Sequence, residues 1–301
     1  MRIGIDLGGT KIAAIALDPS GEERERLRMP TPQGDYPGTV RGISGLVATL
    51  ENRHGPAEAV GVGTPGSLSP ATGLIRNANS VVLNGKPLQR DLEAALRRPV
   101  SLANDANCFA LSEARDGAGQ DARCVFGVII GTGTGAGIVV DGRVLTGTNR
   151  IGGEWGHNPL PWPRADELPG RPCYCGRQGC IETWLSGPGM SADHETVCGE
   201  RRNAEQIAAA AADGDPAARD TVHRHADRLA RGLATVINLL DPDVIILGGG
   251  LGQIRALYDL VPARWHHYIF SDSISTRLLP PTHGDDSGLR GAAMLSQEGQ
   301  R

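Results

Sequence analysis

The feature that most constrains this 301-residue chain is a pattern written twice: an apolar strand, a glycine-tipped turn, a returning apolar strand, then alternating helix and strand signals. Residues 2–6 alternate about Ile3 and Ile5, turn through Gly8 and Gly9, and return as the apolar run 12–17, which reads as a β-hairpin. Residues 22–28 supply a third strand. Val40, Ile43, Val47 and Leu50 then recur at helical spacing, and the run continues as strand 59–63, helix 89–98, strand 100–103 and helix 106–116. A second series opens with strand 124–130, a turn over 131–137 and strand 138–140. Asp215-Pro216 has the form of a helix start, an N-cap followed by proline in the first turn. Behind it lies an apolar stripe from Val222 to Leu240, then strand 243–247 and a last helix over 288–296. Two such series predict a duplicated α/β unit.

Composition narrows the function. At a net charge of −4, nothing in the bulk electrostatics points to nucleic acid or an anionic membrane. No apolar run reaches the ~18 residues that span a bilayer, and residues 1–17 lack the form of a secretory signal, so a soluble, cytoplasmic protein is expected. In that setting six cysteines, three of them within eight residues, point to metal rather than disulfides. The 42 glycines are twice the ordinary share of about 7%. They mark either plain turns or loops whose backbone approaches a ligand closely.

The motifs decide among nucleotide sites. No Gly-x-x-x-x-Gly-Lys-Ser/Thr is present, which excludes a P-loop. Gly61-x-Gly63-x-x-Gly66 and Gly131-x-Gly133-x-x-Ala136 match the dinucleotide pattern, but no helix opens directly behind either. Asp6-Leu-Gly8-Gly9-Thr10-Lys11 is an ordinary tight hairpin or a turn whose amides hold phosphate oxygens. The residues 131–137 offer a second such cradle, with hydroxyls at Thr132 and Thr134, and Leu247-Gly248-Gly249-Gly250 a third. Asn104-Asp105 stands where a strand gives way to a helix, as an N-cap or as a carboxylate facing a cleft. Cys173-x-Cys175-x4-Cys180 supplies three soft ligands, to which His157 adds a fourth, giving the Cys3His set of a closed structural zinc site. Buried free thiols are the alternative, and core or surface thiols are expected at Cys108, Cys124 and Cys198.

These three glycine loops resemble the two phosphate loops and the adenosine loop of the actin and hexokinase superfamily. Gly152-Gly-Glu154-Trp-Gly-His157 followed by Cys173-Tyr-Cys-Gly-Arg-Gln-Gly-Cys180-Ile-Glu182 resembles the ROK family of bacterial sugar kinases. The likeness runs from residue 2 to about residue 295. Repressors of that family carry a helix-turn-helix domain ahead of the first glycine loop, whereas this sequence begins on the loop, as the kinases do. The resemblance implies a two-lobed, duplicated actin-like (ribonuclease H-like) α/β fold around a cleft, with residues 1–118 plus 288–301 in a small lobe and 119–287 in a large one. It implies ATP and Mg²⁺ on Asp6, Gly8, Gly9, Thr10, Lys11, Gly131, Thr132, Gly133, Gly248 and Gly249. Sugar would be held by Gly66, Asn79, Asn104, Glu154, His157 and Glu182, with Asp105 as the general base, structural zinc on His157, Cys173, Cys175 and Cys180, and a homodimer. A base is chemically required, because a sugar hydroxyl is a poor nucleophile toward an in-line γ-phosphate.

Asn77-Ala-Asn-Ser80, Leu83-Asn-Gly85 and the stretch Glu154 to Trp162 look most like the fructokinase or mannokinase branch. The 6-hydroxyl of fructose is therefore the expected acceptor, with mannose or glucose as further substrates. Asn104-Asp-Ala-Asn-Cys108 is shared with the N-acetylglucosamine kinase branch, which keeps an N-acetylglucosamine or N-acetylmannosamine kinase, or a glucokinase, as the alternative. A non-catalytic sugar sensor would bind without turnover. A glycosidase has no use for nucleotide loops, and a zinc hydrolase needs an open coordination position that Cys3His lacks. Residues 163–171, mixed in charge and rich in turn formers, are expected to be a mobile loop.

Overall fold

In the computed structural model, which describes residues 1–78 and 80–295, both series form five-stranded sheets, and the two sheets share one strand order. The first contains β1 (Arg2–Leu7), β2 (Lys11–Leu17), β3 (Glu23–Pro30), β4 (Ala59–Thr64) and β7 (Val100–Asn104) in the order β3-β2-β1-β4-β7. β5 (Ser67–Leu68) and β6 (Ile75–Arg76) form a small separate hairpin. The helices of this series are α1 (Tyr36–His54), α2 (Leu88–Leu96) and α3 (Asp105–Arg115). The second sheet contains β8 (Cys124–Ile130), β9 (Thr134–Val140), β10 (Arg143–Val144), β11 (Val244–Gly248) and β12 (Arg277–Leu279) in the order β10-β9-β8-β11-β12. Its helices are α4 (Glu182–Leu185), α5 (Gly187–Cys198), α6 (Ala204–Ala212), α7 (Pro216–Leu240), α8 (Leu257–Leu260) and α9 (Pro262–Trp265), and α10 (Ser287–Met294) ends the described chain. In each sheet an antiparallel hairpin leads into parallel strands, the duplication expected from the sequence.

Among the described residues the chain divides into one unit of residues 1–120, 137–152 and 285–295, and another of 121–136 and 153–284. In the first, Ile3, Ile5, Ile12, Val60 and Val62 of the sheet bury against Ile43, Val47 and Leu50, the helical stripe of α1. α10 returns to this unit and packs on β1, β4 and α3. It packs so closely that a Cβ on Gly61 would lie 1.9 Å from the Ala292 carbonyl oxygen, so part of the glycine excess serves helix-on-sheet approach rather than ligands. In the second unit Asp215 caps α7, accepting the Ala218 N–H at 3.1 Å, with Pro216 in the first turn. The predicted stripe Val222, Ala226, Leu229, Leu233 and Ile237 is buried. Among the described residues, no helix is long and apolar enough to cross a membrane.

Two expectations change. The turn after β8 is shorter than 131–137, because β9 is already a strand at Thr134. Gly137 lies within it, where a Cβ would sit 2.5 Å from the Ala106 carbonyl oxygen; it is glycine to let α3 approach. The segment 163–171 is anchored rather than loose. Glu167 is 4% exposed and pairs with Arg228 at 2.8 Å and Arg231 at 2.7 Å, both from α7. Burial works to raise the Glu167 pKa, but the bonds from Arg231, the Arg164 N–H and Arg228 outweigh it and hold it at about 2.

Candidate functional site

In the first unit β1, β4 and β7 run parallel and end side by side. Asp6 pairs with Gly63, Gly63 with Ala103, and Thr64 with Asn104. The carboxyl ends of parallel strands are where open α/β sheets take their ligands. Asp6 is half-buried; burial raises its pKa and the Lys11 charge partly opposes the rise. In the turn, the Gly8 N–H donates to the Lys11 carbonyl at 3.0 Å. Thr31 Oγ1 donates to the Gly8 carbonyl at 2.8 Å and Gln33 Nε2 to the Gly9 carbonyl at 2.7 Å. The N–H groups of Gly9 and Thr10 have no partner among the described residues, which leaves two adjacent donors on the turn.

Asn104 and Asp105 answer the choice between cap and cleft by dividing it. Asn104 is the N-cap of α3: its side-chain oxygen accepts the Ala106 N–H at 2.9 Å while its Nδ2 donates to the Gly66 carbonyl at 3.1 Å. Asp105 is exposed on the first turn of α3, its Oδ1 accepting the Ala106 N–H at 2.8 Å. Gly66 is thereby tied to the strand end that carries the carboxylate. Asn79 lies outside the described residues.

The second unit repeats the arrangement with different supports. The Gly131 N–H donates to the Gly133 carbonyl at 2.9 Å, leaving the Thr132 and Gly133 N–H groups without a partner among the described residues. A cavity of about 1120 Å³ opens on Gly131 and Thr132, with Gly250 and Leu251 on another wall and Ala208 and Ala212 of α6 beside them. Gly248 ends β11, and Gly249 adopts a φ of 78° with its Cα against Ile130, a conformation that favours glycine. Thr134 does not add its hydroxyl to the cradle. It is buried, its Oγ1 unbonded among the described residues, and its N–H donates to Glu182 Oε2 at 2.9 Å.

His157, Cys173, Cys175 and Cys180 converge, their ligand atoms all within 4.8 Å of one another. Cys175 Sγ to Cys180 Sγ and Cys173 Sγ to His157 Nδ1 are both 3.6 Å. That is far beyond a disulfide and close to the edge of about 3.7 Å expected for a tetrahedron of thiolates around zinc. Two short bridges, Pro159 to Cys180 and Pro172 to Gln178, frame the knuckle. His157 Nε2, the ring nitrogen turned away from Cys173, lies 3.0 Å from Tyr174 Oη. The Tyr174 hydroxyl is pushed up to about 12, first by desolvation and then by the charges of Glu182 and Glu154. Cys108 is buried, and Cys124 and Cys198 are partly exposed.

The ROK family model matches residues 2–299. An N-acetyl-D-glucosamine kinase of Vibrio vulnificus is 39% identical over 303 residues, covering 99% of this chain and 100% of that one. The chain belongs to the ROK family. Among solved structures, the ROK hexokinase of Thermus thermophilus superposes with a TM-score of 0.85 at 33% identity, covering 98% of this chain and 97% of that one. A ROK family glucokinase of Streptomyces griseus, in complex with glucose and AMPPNP, gives 0.76 at 30%, with 98% of each chain covered. The fold is that of the actin-like ATPases.

Three residues of this ROK chain escaped the sequence reading. Tyr174 meets His157, and its place between two candidate ligand cysteines was the available signal. Arg171 donates to the carbonyls of Thr183 and Gly189 and stacks 4.2 Å over Trp184, tying the knuckle to α4 and α5. Tyr258 donates to the Gly252 carbonyl at 2.6 Å, bracing the third glycine loop. Nothing in local spacing announces either of the last two, since their hydrogen bonds go to backbone carbonyls.

Proposed function

We propose that this ROK protein is an ATP-dependent hexose kinase acting on the 6-hydroxyl, with N-acetyl-D-glucosamine as its preferred sugar. The single observation that carries the reading is the end-to-end 39% identity to an N-acetyl-D-glucosamine kinase. It favours the amino sugar over fructose, to which the stretches 77–85 and 154–162 had pointed. The geometry supplies the parts. The cavity between Gly131-Thr132 and Gly250-Leu251 suits the nucleotide, with Gly248 and Gly249 shaping its third loop. In the first unit the Gly9 and Thr10 amides, beside Lys11, and in the second unit the Thr132 and Gly133 amides, all unpartnered among the described residues, suit phosphate oxygens.

Asp105 takes the proton of the sugar hydroxyl as it attacks the γ-phosphate. Asn104 holds Gly66 in place and presents its remaining amide proton to the sugar, with Asn79, Glu154, His157 and Glu182 completing the set. Asp6 is the carboxylate placed to hold Mg²⁺, whose charge, when bound, neutralises the phosphate oxygens. Structural zinc fits His157, Cys173, Cys175 and Cys180, whose spacings match a tetrahedron. The protein acts as a homodimer in the cytoplasm.

The test is ADP release across N-acetylglucosamine, N-acetylmannosamine, glucose, mannose and fructose. The expected result is the highest kcat/KM on N-acetylglucosamine. A higher value on fructose would restore the fructokinase reading, and no sugar-dependent turnover would overturn the kinase. Asp105→Asn should lower kcat by ~10² or more with the melting temperature unchanged, the usual contribution of a positioned base. An unaffected kcat removes Asp105 from that role.

A further inference from the structure

Residue 134 lies where the two metal-ligand segments meet. Gly156, one residue before His157, runs so close to β9 that a Cβ on it would lie 2.0 Å from the Thr134 carbonyl oxygen. Glu182, two residues after Cys180, accepts the Thr134 N–H at 2.9 Å through Oε2. The same oxygen would be 2.6 Å from a Cβ on Gly133, so the carboxylate packs directly against the turn. A third tie comes from the start of α5, where the Gly187 N–H donates to the Gly131 carbonyl at 2.7 Å. Each end of the 131–133 turn is thus fastened to chain that leads away from the cysteine and histidine cluster. The bond to Glu182 is the charge-assisted one, and such bonds are roughly twice as strong as neutral ones.

We propose that Glu182 is a positioning residue for the 131–133 turn: it fixes the Thr134 amide, so that phosphate binding on Thr132 and Gly133 depends on the knuckle through one carboxylate oxygen. This rests on the kinase reading and adds to it a second task for a residue assigned there to sugar. Oε2 holds the turn, and Oε1 is left for the sugar. The substitution Glu182→Gln separates the two tasks, because the bond to Thr134 asks only for an acceptor, which a glutamine carbonyl supplies.

The experiment is calorimetric titration of ADP without sugar on wild type, Glu182→Ala and Glu182→Gln, with zinc content measured on each. The alanine variant should bind ADP about tenfold more weakly, the loss expected for a bond to a charged acceptor. The glutamine variant should return to within about threefold of wild type while its sugar KM stays raised, a split that a general loss of structure would not produce. Zinc content should be equal in all three. Unchanged ADP affinity in Glu182→Ala overturns the inference and leaves the kinase reading standing, and so does a Gln variant as weak as the Ala variant. A wild-type chain that binds no ADP overturns both.

Discussion

The hairpin turns at Gly8-Gly9 and at Gly131-Gly133 are alike in their place in the sheet and unlike in what holds them. Each leaves two adjacent amides unpartnered among the described residues, and each ends a strand in the same place in its sheet. The first is braced by Thr31 and Gln33, neutral side chains just beyond β3, the strand paired with its own hairpin. The second is braced by a carboxylate 48 residues away on α4. α4 is itself supported in depth: the guanidinium groups of Arg171 and Arg228 stand over the Trp184 ring at 4.2 and 4.7 Å, and Arg228 pairs with buried Glu167. Duplication therefore preserved the cradle and replaced its foundation. The first turn depends on its own sheet, whereas the second depends on the knuckle and on a buried ion network.

The largest expected effect follows from removing the knuckle. Cys180→Ser, at a thiol only 1% exposed, should abolish zinc binding and lower the melting temperature by on the order of 10 °C, because a structural site's metal affinity is part of its folding energy. ADP affinity should fall with it, by way of Glu182. The comparison breaks if the zinc-free variant melts and binds ADP like wild type.

One step further down, Glu167→Gln should cost roughly 3 kcal/mol, since it leaves Arg231, 1% exposed, short of its main partner. Its pH dependence has a defined sign. The folded carboxyl titrates at about 2, below its ordinary value of 4.5, so the stability it contributes is fully present above 4.5 and is lost as pH falls toward 2. Melting curves of wild type should drop through that window more steeply than those of the variant. Parallel curves would show that the network does not depend on this charge.

How much of this was legible before the structure depends on the distance between partners. The hairpins, the duplication and the α7 start were readable because period-two alternation, glycine turns and an Asp-Pro cap are local signals. The convergence of His157 with Cys173, Cys175 and Cys180 was readable because three of the four lie within eight residues. The glycine excess was only half readable. Gly61 and Gly137 make room for α10 and α3, and the letter glycine does not say whether the atom it admits belongs to a ligand or a helix. Glu167 looked like part of a loop because its partners Arg228 and Arg231 arrive from more than 60 residues away. Glu182 was named as a sugar ligand from its motif, but its bond to Thr134 has no sequence signature.

The smallest predicted effects sharpen the comparison from the other side. Thr31→Val keeps the shape of the side chain and removes the donor to the Gly8 carbonyl. The loss should be about 1 kcal/mol, which is roughly fivefold in ADP affinity, and Gln33→Ala should cost less because that side chain is solvent-accessible and water can replace its bond. The informative quantity is how these losses respond to chelation. If the first cradle stands on its own sheet, the Thr31→Val penalty is the same ratio with zinc present or removed, whereas the Glu182→Ala penalty shrinks once the knuckle no longer fixes α4. Equal shrinkage of both would mean that the two turns share one foundation, and the contrast drawn from their bracing would fail.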